Sequence, residues 1–212
     1  MPDLSRLYEA ILNGDHKTSA AITREAIDAH VDAMEIVSRY MVPAMDEVGK
    51  RFECEDYFVP ELLLSARAMK AALELLRPLL AAEGARFAGR VVIGTVKGDL
   101  HDIGKNIVAA MLEGGGFEVI DLGADVAPQK FVDSVKERNP QLVCLSALLT
   151  VTMLSMKTTI EALRDAGVRD SVKVLVGGAP VTPEFAREIG ADGFGENATV
   201  AVTLARKLLQ AA

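Results

Sequence analysis

The hexapeptide Asp99-Leu100-His101-Asp102-Ile103-Gly104 lies at the turn between an aliphatic run and an amphipathic stretch. A neutral imidazole binds a metal through one ring nitrogen while a hydrogen bond fixes the other, and Asp99, two residues before His101, can supply that bond. A helix beginning near Ile103 puts partial positive charge beside the ring and opposes imidazolium, whereas Asp99 favours it. The pair can therefore couple protonation to ligation. Taken alone, the hexapeptide reads either as a metal ligand with its partner or as a solvated or capping histidine. Two later pieces share its setting: Ser146-Ala147-Leu148 closes one aliphatic run and Gly177-Gly178 closes the next. Paired glycines let backbone approach a bulky ligand with no Cβ between, or simply turn the chain after a strand. Gly104 suits close packing at a helix start.

The elements that must position these residues divide the chain in two. From Asp3 to about Glu83 the apolar residues recur at helical spacing. Leu4, Leu7, Ile11 and Leu12 mark a first helix ending near Asn13-Gly14, and Ile22, Ala26, Ile27 and His30 a second. Met34 to Phe52 forms a third, kinked or restarted at Pro43, which lacks the amide proton of an interior turn. Pro60 to Leu80 supplies a fourth. Past Glu83-Gly84-Ala85-Arg86, strands are expected at 91–95, 118–122, 142–146, 173–176 and 193–194. Helices are expected near 103–115, 128–138, 153–166, 183–189 and 198–210.

This alternation predicts an N-terminal helical bundle over 1–86, then a doubly wound, flavodoxin-like α/β domain over 87–212 with a parallel five-stranded sheet. The usual strand order for such a sheet is 2-1-3-4-5, with ligands beyond the carboxyl ends at the switch between strands 1 and 3. His101 follows strand 1 and Ser146 closes strand 3, so both should meet at one crevice, with Gly177 and Gly178 lining its next side.

Composition narrows the function. Half of the 212 residues are hydrophobic and a quarter charged, which suits a chain with a substantial buried core. A net charge of −7 offers no long-range attraction to phosphate backbones, so nucleic acid is excluded as the main partner. The two cysteines, Cys54 and Cys144, read as packing thiols and fit a reducing cytosol. No apolar signal core opens the chain and no run of about twenty apolar residues occurs, so a cytoplasmic protein without a membrane span is expected. Gly98 and Gly104-Lys105 do not make a phosphate loop, because Lys105 precedes Asn106 rather than Ser or Thr. His16 and His30 have no companions at ligand spacing and read as surface or packing residues.

Asp99-x-His101-x-x-Gly104, Ser146-x-Leu148 and Gly177-Gly178 together resemble the DxHxxG, SxL, GG signature of base-off, His-on B12-binding domains in order and separation. Residues Gly94 to Asn106 are also similar to the corresponding stretch of cobalamin-dependent methionine synthase and of corrinoid methyl-carrier proteins. Met41-Val42-Pro43-Ala44-Met45 and Tyr57-Phe58-Val59-Pro60-Glu61-Leu62 resemble the cap of methyltransferase corrinoid proteins, so the resemblance spans nearly the whole chain. It implies a cobalamin or related corrinoid in which His101 replaces the cofactor's dimethylbenzimidazole as lower ligand of cobalt. Asp99 would be its hydrogen-bond partner, with Gly98, Asp102, Ile103 and Gly104 in the same cofactor-binding loop. Ser146 would extend that network or contact the nucleotide tail, which would thread past Leu148, Thr150, Gly177 and Gly178. Gly195 to Ala198 would close the tail pocket. Phe58, Leu62, Leu63 and Met69 would cover the upper face of the corrin, unless they are bundle core.

The same resemblance implies a methyl shuttle of one-carbon metabolism with no catalytic residue of its own. A substrate-specific methyltransferase would load it from a methylamine, methanol, betaine or aryl methyl ether donor. A second would unload it to tetrahydrofolate or a thiol, and a reductive activation protein would be a third partner. Presenting one corrin face to two partners requires the cap to move, with a hinge expected near residues 84–89. A B12-dependent sensor is the alternative, although no basic DNA-reading helix accompanies residues 1–85. The small subunit of an adenosylcobalamin mutase is disfavoured by the long helical half.

Overall fold

Local signals fix the helical half. The structure, a computed structural model, describes residues 3–82 and 87–210. Residues 83–86, where part of the expected hinge falls, lie outside the described residues. Helix α1 (Ser5–Leu12) turns at Gly14 into α2 (His16–Asp28), whose first amides are capped by the Asp15 carboxylate. The expected third helix is instead α3 (Ala33–Ile36), a π turn (Val37–Met41) and α4 (Val42–Glu53). Pro43, at the second position of α4, cannot donate to the preceding turn and its ring crowds a carbonyl there, so that turn widens. Helix α5 (Val59–Ala82) follows and carries Pro78 inside it.

Leu7, Ile11, Ile36, Met41, Met45 and Leu76 are buried in this half. The carbonyl of Leu12, left unpaired by the end of α1, accepts from the hydroxyls of Tyr57 (3.2 Å) and Ser65 (3.0 Å).

The second half builds β1 (Arg90–Thr95), α6 (Ile103–Gly114), β2 (Glu118–Asp121), α7 (Pro128–Arg138), β3 (Leu142–Ser146) and α8 (Met153–Asp165). It continues through β4 (Lys173–Gly177), α9 (Pro183–Glu188), β5 (Gly193–Gly195) and α10 (Ala198–Gln210). All pairings are parallel and the order is β2-β1-β3-β4-β5, as the strand–helix alternation predicts. The aliphatic centres of β1, β3 and β4 are buried, consistent with helices packed on both faces of the sheet. Gly94 leaves room for the ring of Phe131 from α7, which lies 2.8 Å from where a Cβ would stand.

Register aligns Thr95 with Ser146, Ser146 with Gly177, and Gly177 with Gly195, so four strands finish in one row at the carboxyl edge. The chain forms two compact units, Met1–Phe87 with Ala110–Gly116, and Ala88–Ala109 with Phe117–Ala212.

Both cysteines are free. Cys144 is a packing thiol whose burial pushes its pKa up to about 12, whereas Cys54 is exposed rather than packed. No helix among the described residues is long and apolar enough to cross a membrane.

Candidate functional site

Strand β1 ends at Thr95 and α6 starts at Ile103, so the connecting loop carries both Asp99 and His101 to the carboxyl edge. Asp99 is fully buried. Its Oδ1 accepts from the His101 backbone N–H (3.0 Å) and pairs with ring Nδ1 (2.8 Å). Its Oδ2 accepts from the N–H groups of Leu148 (2.7 Å) and Leu149 (3.2 Å) and from Thr152 Oγ1 (2.7 Å). Burial alone would push this carboxyl's pKa up. The Thr152 hydroxyl, the His101 and Leu148 amides and the imidazole outweigh that cost and hold it well below the ordinary 3.8.

An ionised carboxylate can only accept, so in the neutral imidazole Nδ1 carries the proton and Nε2 keeps the lone pair. The His101 side chain is 51% exposed. Thr95 Oγ1 adds a hydrogen bond of 3.1 Å to the His101 carbonyl.

The residues expected at the site separate into several groups. Gly98 donates its amide to Asp125 Oδ1 at 2.8 Å. Asp102 precedes α6, and its side chain accepts from Asn106 Nδ2 at 3.1 Å. Ile103 is largely exposed. A Cβ on Gly104 would meet nothing within 4 Å, which corrects the expected role of this glycine in close packing of the helix start.

Ser146 stands at the end of β3, but the Asp99 network runs through the backbone of Leu148 and Leu149 and through Thr152. Leu148 and Thr150 are exposed. Gly177 and Gly178 prove necessary within the protein: a Cβ on Gly177 would meet the Gly195 carbonyl oxygen at 2.8 Å, and one on Gly178 the Ala147 oxygen at 1.9 Å. Ala198 is buried at the start of α10. In the helical unit, Phe58 and Leu63 are exposed, whereas Leu62 and Met69 are only 1% exposed and belong to the core. That corrects the expectation that all four face a ligand.

Thr152 and Thr95 were not among the expected residues. Thr152 carried one signal, a hydroxyl just before a helix start, where Ser and Thr commonly bond nearby polar groups. Thr152→Val is expected to lower stability by about 1.5–3 kcal/mol, the usual worth of a hydrogen bond to a charged group. Urea unfolding of the wild type and variant would measure it.

Among the described residues, no cluster of three or more His, Cys, Asp or Glu could hold a metal ion. A single neutral imidazole with a buried carboxylate behind it therefore fits a metal that brings its other ligands with it. The surroundings fit a large, mostly apolar group as well. Leu100, Ile103, Leu148, Leu149, Val151 and Leu154 are all exposed in the β1–α6 and β3–α8 connections and the helix starts that follow them, the two connections that Asp99 ties together. A folded unit seldom leaves so much apolar surface together unless something binds it.

The His101 loop stands at the strand-order switch of a doubly wound sheet, the place where such folds bind their ligands. Residues 89–203 match the B12 binding domain family, and residues 4–77 match a second family also described as B12 binding domain. The chain belongs to this family of B12-binding corrinoid proteins.

Among its relatives, trimethylamine corrinoid protein 1 of Methanosarcina acetivorans is 42% identical over 97% of this chain and 96% of that one. The dimethylamine corrinoid protein of Methanosarcina barkeri is 43% identical over 97% of each. The crystal structure of a cobalamin-binding protein from Desulfitobacterium hafniense DCB-2 is similar with a TM-score of 0.80 and 36% identity, covering 98% of this chain and 99% of that one. The methanol:cobalamin methyltransferase complex MtaBC of Methanosarcina barkeri gives a TM-score of 0.86 at 28% identity, covering 97% and 79%.

Proposed function

We propose that this protein is the methyl-carrying corrinoid component of a methyltransferase system, with His101 Nε2 as the lower ligand of the corrinoid cobalt. The observation that carries this reading is the Nδ1–H hydrogen bond to buried Asp99, which leaves Nε2 free on a half-exposed ring. The bound corrinoid supplies a cobalt centre that accepts a methyl group from one substrate and yields it to another. The protein's part is to bind, orient and exclude water.

Asp99 holds the proton at Nδ1. Leu100, Ile103, Leu148 and Val151 offer apolar contact, and the open space at Gly104 admits the macrocycle. Ser146, Leu148, Thr150, Gly177, Gly178, Gly195 and Ala198 mark the path for the nucleotide tail along the carboxyl edge.

The reading divides the chain into a cap, 1–86, and a cofactor domain, 87–212. The names of the amine-specific relatives support a methylated amine as donor, ahead of methanol, betaine or aryl methyl ethers. A substrate-specific methyltransferase, a second methyltransferase acting on tetrahydrofolate or a thiol, and a reductive activation protein complete the system, in the cytoplasm.

The test is reconstitution of the purified chain with cobalamin. With the protein's histidines labelled with 15N, the wild type is expected to show the two-line axial splitting of 15N in the electron paramagnetic resonance spectrum of the cobalt(II) form, and His101→Ala to lose it, whereas the cofactor's own dimethylbenzimidazole would give the three-line 14N pattern. Failure to bind cobalamin, or an unchanged spectrum in His101→Ala, would overturn the assignment.

A further inference from the structure

The loop that carries His101 is held from two sides. On one side Asp99 reaches the segment after β3. On the other stands Asp125, in the connection between β2 and α7, a residue with no part in the sequence-level site. Its backbone sits in the left-handed region at φ +53, which Asp tolerates better than most side chains. There its N–H donates to the Asp99 carbonyl at 2.9 Å, and its Oδ1 accepts the Gly98 N–H at 2.8 Å. Lys97 Nζ lies 3.0 Å from the same carboxylate. The next residue continues the sheet: Val126 bridges to Val96, and its N–H donates to the Thr95 carbonyl at 2.9 Å.

Gly98 turns the loop at φ +84, a conformation glycine adopts without strain, and Asp125 is the side chain that fastens its amide. We propose that Asp125 is a positioning residue for the metal ligand, clamping the Lys97-Gly98-Asp99 turn so that the His101 imidazole is held ready for cobalt. Its hydrogen bonds among the described residues go to Lys97 and to the backbone of Gly98 and Asp99, not to the imidazole. Its effect passes through the backbone on which Asp99 and His101 are strung. A ligand whose support is loosened must be ordered again on binding, and that cost appears as lost affinity.

The inference rests on His101 being the lower ligand. Its test is therefore built so that the two can fail separately. Asp125→Gly removes the carboxylate but keeps a residue that adopts positive φ freely, so the turn itself is not strained. Asp125→Asn keeps an acceptor for the Gly98 amide and loses the charge opposite Lys97. Lys97→Ala removes the ion pair alone.

In the cobalamin-free protein, Asp125→Gly is expected to speed hydrogen exchange at Gly98 and Asp99 by about tenfold or more while the amides of β3 stay as protected as in the wild type. With cobalamin, its dissociation constant is expected to rise about 10–100-fold, with a weaker axial-nitrogen splitting. Asp125→Asn and Lys97→Ala should stay within about threefold of the wild type, as expected for a solvent-screened ion pair. Unchanged exchange and affinity in Asp125→Gly would overturn the clamp. So would equal loosening of β3, which would make Asp125 a general stability residue, or a loss in Lys97→Ala as large as in Asp125→Gly. If the wild type itself lacks the imidazole signature, the ligand assignment fails instead, while the exchange result still judges the clamp.

Discussion

Asp99→Asn is expected to take the imidazole off the metal while leaving the imidazole in the protein. The carboxylate receives two backbone N–H groups and a hydroxyl at Oδ2, but one backbone N–H and the ring nitrogen at Oδ1. An asparagine has one oxygen and one NH2 to place there. With the oxygen at the Oδ2 position, the amides of Leu148 and Leu149 stay paired, whereas the reverse orientation sets the NH2 against two donors that cannot turn away. The imidazole can adapt, because its proton can move between its nitrogens. The NH2 therefore faces Nδ1, which becomes the acceptor, and Nε2 takes the proton and loses its lone pair.

The histidine-derived (15N) axial splitting should vanish as fully as in His101→Ala, although every imidazole atom is retained. A wild-type splitting in Asp99→Asn would refute the tautomer argument. The variant also leaves the His101 amide opposed by a donor, at a cost of about 1–3 kcal/mol.

Acid titration separates that cost from the charge. A carboxyl whose folded pKa is depressed binds fewer protons folded than unfolded, so its contribution is complete above the ordinary 3.8 and is lost as pH falls below it. The stability difference between wild type and Asp99→Asn is therefore expected to be constant near neutrality and to shrink below about pH 4. Denaturant midpoints taken through that range would show it.

Gly178→Ala is expected to be the most damaging single methyl in the sheet unit. At φ +127 an L side chain is strained before any contact is made, and the new Cβ would stand 1.9 Å from the Ala147 carbonyl oxygen. The obstacle is backbone, so no rotamer change relieves it. The chain after β3 must move, and with it the Leu148 and Leu149 amides that hold Asp99. A loss on the order of 4 kcal/mol follows from strain and displaced backbone together. At the roughly 2–4 °C per kcal/mol usual for chains of this size, Tm falls by about 8–16 °C.

Gly104→Ala is the contrasting control. Nothing lies within 4 Å of its would-be Cβ, so the unliganded protein should keep or slightly gain stability, while cobalamin affinity falls if the macrocycle occupies that space. Calorimetry of both variants, without and with cobalamin, distinguishes a glycine needed by the fold from one left open for a ligand. A wild-type Tm for Gly178→Ala would defeat the argument.

The two glycine positions show where sequence reading and structure part. Gly177-Gly178 is conspicuous in the chain as a place where backbone must come close to something, and it does, but the neighbours are Gly195 of β5 and Ala147, just past β3. Similarly, an apolar stripe over 58–69 marks a helix without saying which residues turn inward. Packing put Leu62 and Met69 in the core and left Phe58 and Leu63 outside. Pro43 announced a break in its helix, but the disturbance falls on the turn before it, since a proline spoils the bonding of residues that precede it.

The order of strands, the placement of the His101 loop after β1 and the pairing of Asp99 with the imidazole were legible in the chain because they depend on neighbours in sequence and on the few topologies a right-handed parallel sheet permits. Thr152, the amides of Leu148 and Leu149, and Asp125 were not. Each reaches the loop from another connection, Thr152 from 53 residues away, and any polar residue there would look the same in the sequence. Only folding brings three connections to one edge, and a buried carboxylate then selects as partners whichever donors that edge supplies, because an unpaired charge there would cost more than the fold could spare.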